Sequence, residues 1–214
     1  MTGGVAIGGA GGVVLEMVAA INEHRAWLSE IDGAIGDGDH GINMSKGFTQ
    51  AGAAIGDGNG GLSSAFETLG NTLLSDIGGS MGPLYGSFFL EMAATLEGAE
   101  TLDAPLFSRM LHAGLASVED LGGAKPGDKT MLDTLVPALA AFDARMAEGG
   151  SFADALAAMS SAAERGRDAT KDMLARIGRA ARLGDRSRGV VDAGAASCCL
   201  ILQTLAAGLR TRGA

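Results

Sequence analysis

Apolar residues recur along this chain with a period close to that of an α-helix, and almost nowhere with a period of two. Val14, Val18, Ile21 and Leu28 mark one helical face near the start. Ser64-Ala65-Phe66-Glu67 has the form of a capping box, opening a helix with Phe66, Leu69, Leu73 and Ile77 on one side and stopped by Gly78-Gly79. Leu84, Phe88, Met92 and Leu96 stripe the next, which ends at Gly98. Asp103-Ala104-Pro105 starts another, carrying Phe107, Leu111, Leu115 and Val118 and stopped by Gly122-Gly123. Leu132, Leu135, Leu139 and Met146 carry a further helix, which Pro137 is expected to bend. Ser151-Phe152-Ala153-Asp154 opens the one after it, and Cys198, Ile201, Leu205 and Leu209 stripe the last. The expected architecture is all-α: about eight amphipathic helices on short connections, packed as antiparallel neighbours.

A length of 214 residues suffices for one well-buried core, and no linker-like shift in composition divides it. A single domain over 1–214 is expected, with a flexible Gly-rich start over 1–12. Aromatics are scarce, so the core is expected to be built from small units. A formal net charge of -9, with Lys and Arg scattered, argues against nucleic acid, whose phosphates require a basic face. Cys198 and Cys199 are adjacent in an apolar run, which makes them poor disulfide partners and expected buried thiols; a reducing cytoplasm fits them. The start has no basic region of a signal peptide, and no uninterrupted apolar stretch approaches the roughly 20 residues of a membrane span. An intracellular protein without a membrane partner is expected.

The candidate chemistry lies between the first apolar segments, where Asp32, Asp37 and Asp39 stand among Gly33, Gly36, Gly38 and Gly41. Carboxylate oxygens suit Mg2+, which keeps open positions for phosphate oxygens, and glycines let the backbone aim short side chains at one point. In an extended segment Asp37 and Asp39 point the same way, and Asp32 closes in across the turn. A calcium loop starting at Asp37 would want glycine and glutamate where Ile42 and Phe48 stand. A Gly-Asp turn taken alone is most often a solvated cap, and Gly56-Asp57-Gly58-Asn59-Gly60-Gly61, with one carboxylate, reads as a flexible loop. His40 follows the acidic pair, and Asn43 lies one turn further on the same face.

The polar and glycine-rich blocks sit where helices begin: Asp39-His40-Gly41, Gly78-Gly79-Ser80-Met81-Gly82-Pro83, Gly127-Asp128-Lys129-Thr130 and Asp192-Ala193-Gly194. Unpaired N–H groups and the positive end of the helix dipole make such starts anion sites, and several together suit a polyphosphate. No Walker-type Gly-x-x-x-x-Gly-Lys-Ser/Thr is present, so a nucleotide would be held in some other way.

Ile35-Gly36-Asp37-Gly38-Asp39-His40-Gly41-Ile42-Asn43-Met44, Gly78 to Gly86, Lys125 to Met131, Gly178-Arg179-Ala180 and Leu183-Gly184-Asp185-Arg186-Ser187 together resemble the nucleotide-binding L subunit of dihydroxyacetone kinase. The blocks fall in the family's order and cover nearly the whole chain. The resemblance implies a closed barrel of eight antiparallel helices with ATP or ADP at one end and two Mg2+ ions bridging acidic side chains and phosphates. It implies Asp32, Asp37 and Asp39 as metal ligands. It implies nucleotide contacts from His40, Gly41, Ile42, Asn43, Ser80, Met81, Gly122, Met131, Arg179, Asp192, Ala193 and Gly194. Two departures stand out. Ser80-Met81 replaces the family's small residue followed by serine, and Asp192-Ala193-Gly194 replaces Asp-Pro-Gly, with Arg182 in place of a common aromatic.

Phosphoryl transfer needs positioning and charge neutralisation more than covalent help. Arg179, on a segment rich in Gly178, Gly184, Gly189 and Gly194, is the candidate catalytic residue, able to bring its guanidinium against developing charge. The resemblance implies that the ketose is held on a separate K subunit, with dihydroxyacetone or a four-carbon ketose such as erythrulose as acceptor. Two other readings stay open. One is a carrier with permanently bound ADP, recharged by a phosphoprotein of the phosphotransferase system; the other is a helical regulatory module without chemistry.

Overall fold

Among residues 4–213, which the computed structural model describes, nine α-helices form. They are α1 (Gly12–Glu23), α2 (Arg25–Ile35), α3 (His40–Ile55), α4 (Leu62–Asp76), α5 (Met81–Thr95), α6 (Ala104–Gly122), α7 (Leu132–Ala147), α8 (Phe152–Ala169) and α9 (Ala193–Arg212). Eight of them close a ring: α1 packs on α3, each helix from α3 to α9 packs on the next, and α9 returns to α1. The ninth, α2, stands outside that ring against α3 and α9. The expected antiparallel barrel is therefore the fold. Alternating direction brings the starts of α3, α5, α7 and α9 to one end, beside the last turns of α4 and α6.

The local signals explain most boundaries. Asp103 caps α6 by accepting from the Leu106 amide at 2.9 Å, and left-handed Gly123 ends it. Ser151 and Asp154 form a reciprocal capping box at the start of α8. The box expected at Ser64 does not form. Helix α4 starts earlier, at Leu62, because Leu62 and Ala65 are buried and the Leu62 amide finds the Ile7 carbonyl at 3.0 Å. Ser64 instead donates its hydroxyl to the Gly61 carbonyl at 2.9 Å. The first apolar face is also split: the chain breaks at His24, so Leu28 belongs to α2 rather than to the helix of Val14 and Ile21. Helix α7 is continuous through Pro137.

The Gly-rich start needs correction. Residues 1–3 of the expected flexible segment lie outside the described residues, but Val5, Ile7 and Ala10 are buried. Val5–Ala6 (β1) pairs antiparallel with Thr101–Leu102 (β2), a two-residue ladder too short to leave a period-two pattern. The Ile7 amide donates to the Glu100 carbonyl at 2.9 Å and the Gly11 amide to the Gly60 carbonyl at 2.8 Å. This segment therefore ties the end of the barrel opposite the helix starts named above, and tertiary hydrogen bonds override the glycines' freedom.

The core departs from the expectation of small units alone. Phe48, Phe66, Phe88 and Phe89 gather with Tyr85 between α3, α4 and α5, and Phe107, Phe142 and Phe152 form a second cluster between α6, α7 and α8. Each set of rings meets edge-on, tilted or stacked, adding directional contacts to the burial. Helix α9 is long and apolar enough to cross a membrane by length and composition, yet 67% of that window is buried inside the barrel. Cys198 and Cys199 on it are free, buried thiols. Burial pushes both thiols up, Cys199 to about 11, which keeps them protonated and unreactive.

Candidate functional site

Asp32 sits on the last turn of α2, and the Gly36 amide closes that turn on its carbonyl at 2.5 Å. Gly38 then takes a left-handed conformation (φ 78°) that an L side chain would strain, and Asp39 already has helical dihedrals as the residue before α3. The segment is thus a tight turn and not the extended run expected. It still brings one carboxylate oxygen of each of Asp32, Asp37 and Asp39 within 4.8 Å of the others. The His40 amide donates to Asp32 Oδ2 at 3.2 Å, which fixes the innermost carboxylate.

One cation of the chain already lies against this cluster. The Arg179 guanidinium pairs with the Asp37 carboxylate and reaches to 3.9 Å from that of Asp39. Three converging carboxylates that accept a guanidinium in this way fit a hard divalent ion, which takes oxygen ligands and leaves positions for phosphate.

The cluster opens onto a cleft of about 810 Å³ at the end of the barrel where α3, α5, α7 and α9 start. Gly78, Gly79 and Ser80 form one edge, and Leu84, Val118, Leu121, Met131 and Ile177 make an apolar wall. Of the expected nucleotide contacts, His40, Asn43, Ser80, Met81, Gly122, Met131, Arg179, Asp192, Ala193 and Gly194 line the cleft. Gly41 and Ile42 do not. Helical periodicity turns the side chains at 40 and 43 to the cleft and leaves residues 41 and 42 only their backbone amides to offer it. Ile42 is 49% exposed. Gly41 is where α3 crosses α2: a Cβ there would lie 2.1 Å from the Arg25 carbonyl.

Beneath the cleft a polar chain joins three helices. His40 Nε2 lies 3.0 Å from Ser197 Oγ, which is 2.7 Å from the Tyr85 hydroxyl, and the Gly194 carbonyl is an acceptor within reach of both hydroxyls, 3.2 Å from that of Tyr85 and 3.1 Å from that of Ser197. Burial lowers the His40 imidazole to about 4, outweighing the opposite pull of Asp32, so the ring is neutral at pH 7. Burial likewise raises the phenol of Tyr85. Asp192 caps α9 by accepting from the Ala195 amide at 2.8 Å, and its desolvation, against that hydrogen bond and Lys129, raises it to about 6.

Tyr85, Ser197, Lys129 and Asp133 were not among the expected site residues. Asp133 accepts from the amides of Gly127 and Thr130, holding the turn before α7. Lys129 and Tyr85 fall inside the glycine-rich blocks, which was a usable signal. Ser197 carried none, since it lies in the apolar run of α9 far along the chain.

Comparison with known proteins gives this arrangement relatives. Residues 34–207 match the DAK2 domain. The chain is 40% identical over 186 residues to the PTS-dependent dihydroxyacetone kinase, ADP-binding subunit DhaL, of Lactococcus lactis, covering 86% of this chain and 88% of that one. It is 39% identical over 183 residues to the PEP-dependent dihydroxyacetone kinase, ADP-binding subunit DhaL, of Escherichia coli, covering 84% and 86%. The crystal structure of the dihydroxyacetone kinase from C. freundii in complex with AMP-PNP and Mg2+ superposes with a TM-score of 0.71 at 27% identity. That match covers 92% of this chain, which spans only 33% of the larger kinase. Helix ring, acidic turn and glycine-rich edge thus occur together in a chain that belongs to the DAK2 domain family.

Proposed function

We propose that this chain is the nucleotide-binding subunit of a short-chain ketose kinase, handing a phosphoryl group from ATP, or from rephosphorylated ADP, to dihydroxyacetone or a four-carbon ketose held on a K-type subunit. The observation that carries the reading is the convergence of Asp32, Asp37 and Asp39 at the mouth of a cleft ringed by helix starts. With a net charge of -9 and three carboxylates at the cleft, the chain gains from added positive charge when it takes a polyphosphate. Asp32, Asp37 and Asp39 would hold Mg2+, two ions on the family resemblance, which would supply that charge beside the terminal phosphates.

The remaining work falls to the chain. The amides at the starts of α3, α5 and α9 receive phosphate oxygens. Leu84, Val118 and Met131 shield the base from water. Neutral His40, fixed by Ser197, offers the nucleotide a ring with a defined orientation without adding charge. Arg179 leaves Asp37 and turns its guanidinium to the transferred group, stabilising charge that develops in flight.

The relatives named as PTS- or PEP-dependent favour a phosphoprotein of the phosphotransferase system as the source that recharges bound ADP. The test of both is one set of mixtures: the chain with a K-type subunit and short ketoses, supplied either with Mg·ATP or with phosphoenolpyruvate and the phosphotransferase proteins. Ketose phosphate should appear in one or both. Its absence from both, with a competent K-type subunit, removes the kinase reading.

A further inference from the structure

Lys129 is the only non-glycine residue among the described ones with left-handed backbone (φ 65°), and it is 2% exposed. A lysine in a nucleotide cleft invites assignment to phosphate, but this ammonium has no hydrogen to spare. Its three N–H donors meet three main-chain carbonyls: Val190 at 2.7 Å, Met173 at 3.4 Å, and Ser187. All three acceptors lie on the segment between α8 and α9, the one that carries Arg179.

That segment has little regular structure of its own. It contains a 3-10 turn over Ala180–Ser187, broken by Gly184. Within it, Ser187 Oγ accepts from the Ala175 amide at 3.0 Å and donates to the Gly184 carbonyl at 2.7 Å. It reaches the turn before α7 again through the Arg176 amide, which donates to the Asp128 carbonyl at 3.1 Å. The turn is itself anchored on α7 by the carboxylate of Asp133.

We infer that Lys129 is a positioning residue: by gathering the carbonyls of Met173, Ser187 and Val190 it fixes the 173–190 segment to the start of α7, and so holds Arg179 in front of the aspartate cluster. The inference rests on the proposed role of Arg179 in transfer. A side chain without N–H donors would leave three inward carbonyls unsatisfied, and the segment would be held to the turn before α7 by the Arg176–Asp128 bond instead of by all four.

The experiment compares wild type, Lys129→Met and the milder Lys129→Gln, each with Mg·ADP, by amide hydrogen exchange. It then measures transfer to a ketose on a K-type subunit, alone and with Arg179→Ala. Expected is exchange about tenfold faster or more across 174–190 in Lys129→Met, with α4 and α5 unchanged. Transfer should fall by about 10²-fold through misplacement of Arg179, with ADP affinity retained. In the Arg179→Ala background, Lys129→Met should cost no more, an outcome that a general structural defect would not produce.

Unchanged exchange across 174–190 overturns the inference, as does lost ADP affinity without a change in exchange, which would make Lys129 a direct ligand. Equal losses in both backgrounds overturn it too, and so does loss of the helical fold in both lysine variants. Wild-type transfer by Arg179→Ala alone would remove Arg179 from the chemistry, while the exchange data would still decide whether Lys129 anchors the segment.

Discussion

Arg179 pairs with Asp37, so the residue expected to meet the transferred phosphoryl group rests on the residue expected to hold its metal. Both side chains are open to water, at 58% and 44% exposure, where an ion pair contributes only about 0–1 kcal/mol. A divalent ion bound there would therefore displace the guanidinium at little cost and free it for the nucleotide. Arg179→Ala should bind Mg·ADP about as well as wild type, while transfer slows by roughly 10²-fold or more, as for loss of a transition-state donor. Calorimetry and single-turnover transfer separate the two quantities; a binding defect with normal transfer would reverse the assignment.

Asp37→Ala removes the carboxylate shared by metal and guanidinium. Mg2+-dependent nucleotide binding should be abolished while circular dichroism stays helical, because Asp37 lies in the turn between α2 and α3 and supports neither. Nucleotide affinity equal to wild type would show that the metal sits elsewhere.

Gly41 tests whether the acidic turn depends on the α2–α3 crossing. Gly41→Ala forces a methyl group against the Arg25 carbonyl, 2.1 Å from the position a Cβ would take. Overpacking of this kind costs about 1–3 kcal/mol, readable as a lower urea midpoint. Because α2 carries Asp32, Mg2+ affinity should fall as well. A neutral result on both measures would mean that the crossing relaxes freely.

Ser197→Ala leaves His40 Nε2 and the Tyr85 hydroxyl without their shared partner. The expected cost is about 1–3 kcal/mol for the unsatisfied groups, measured in denaturant, and the hydroxyl of Tyr85 keeps the Gly194 carbonyl as a fallback. An unchanged stability would indicate that water replaces the serine oxygen.

Two buried groups set opposite pH slopes in chelator. His40 falls from 6.5 to about 4 on folding, so the unfolded chain binds its proton more readily between those values. Its contribution is present above pH 6.5 and lost as pH falls toward 4. Asp192 rises from 3.8 to about 6, so the folded chain binds that proton more readily, and its contribution is lost as pH rises toward 6. The slopes oppose each other between about pH 4 and 6 in the wild type. His40→Asn should expose stability that declines with rising pH, and Asp192→Asn stability that increases with it. Identical pH profiles for the two variants would refute this balance.

Much of the molecule was legible along the chain because its determinants are local. Helical periodicity, the Asp103 and Ser151 caps and the Gly123 stop need only neighbouring residues, and the acidic turn announces itself by carboxylates spaced among glycines. Where reading failed, a distant partner decided. Leu62 starts α4 because the Ile7 carbonyl is there to receive its amide, and the Gly-rich start is ordered by Glu100 and Gly60. Gly41 was expected as a nucleotide contact, and the crossing with α2 adds a packing demand there that spacing along the chain does not show, since a Cβ would meet the Arg25 carbonyl.

The sequence by itself determined the helical class and the family, and it singled out Asp32, Asp37 and Asp39 as candidate metal ligands, because these reside in residue type and spacing. Only the tertiary structure decided that α9, with 67% of its apolar stretch buried, is a core helix, that Ser197 reaches His40 across 157 positions, and that Lys129 spends its charge on the segment of Arg179. Each of these depends on which surfaces meet when the ring of helices closes, and a buried hydrogen bond forms between groups that packing brings together, however far apart they lie on the chain.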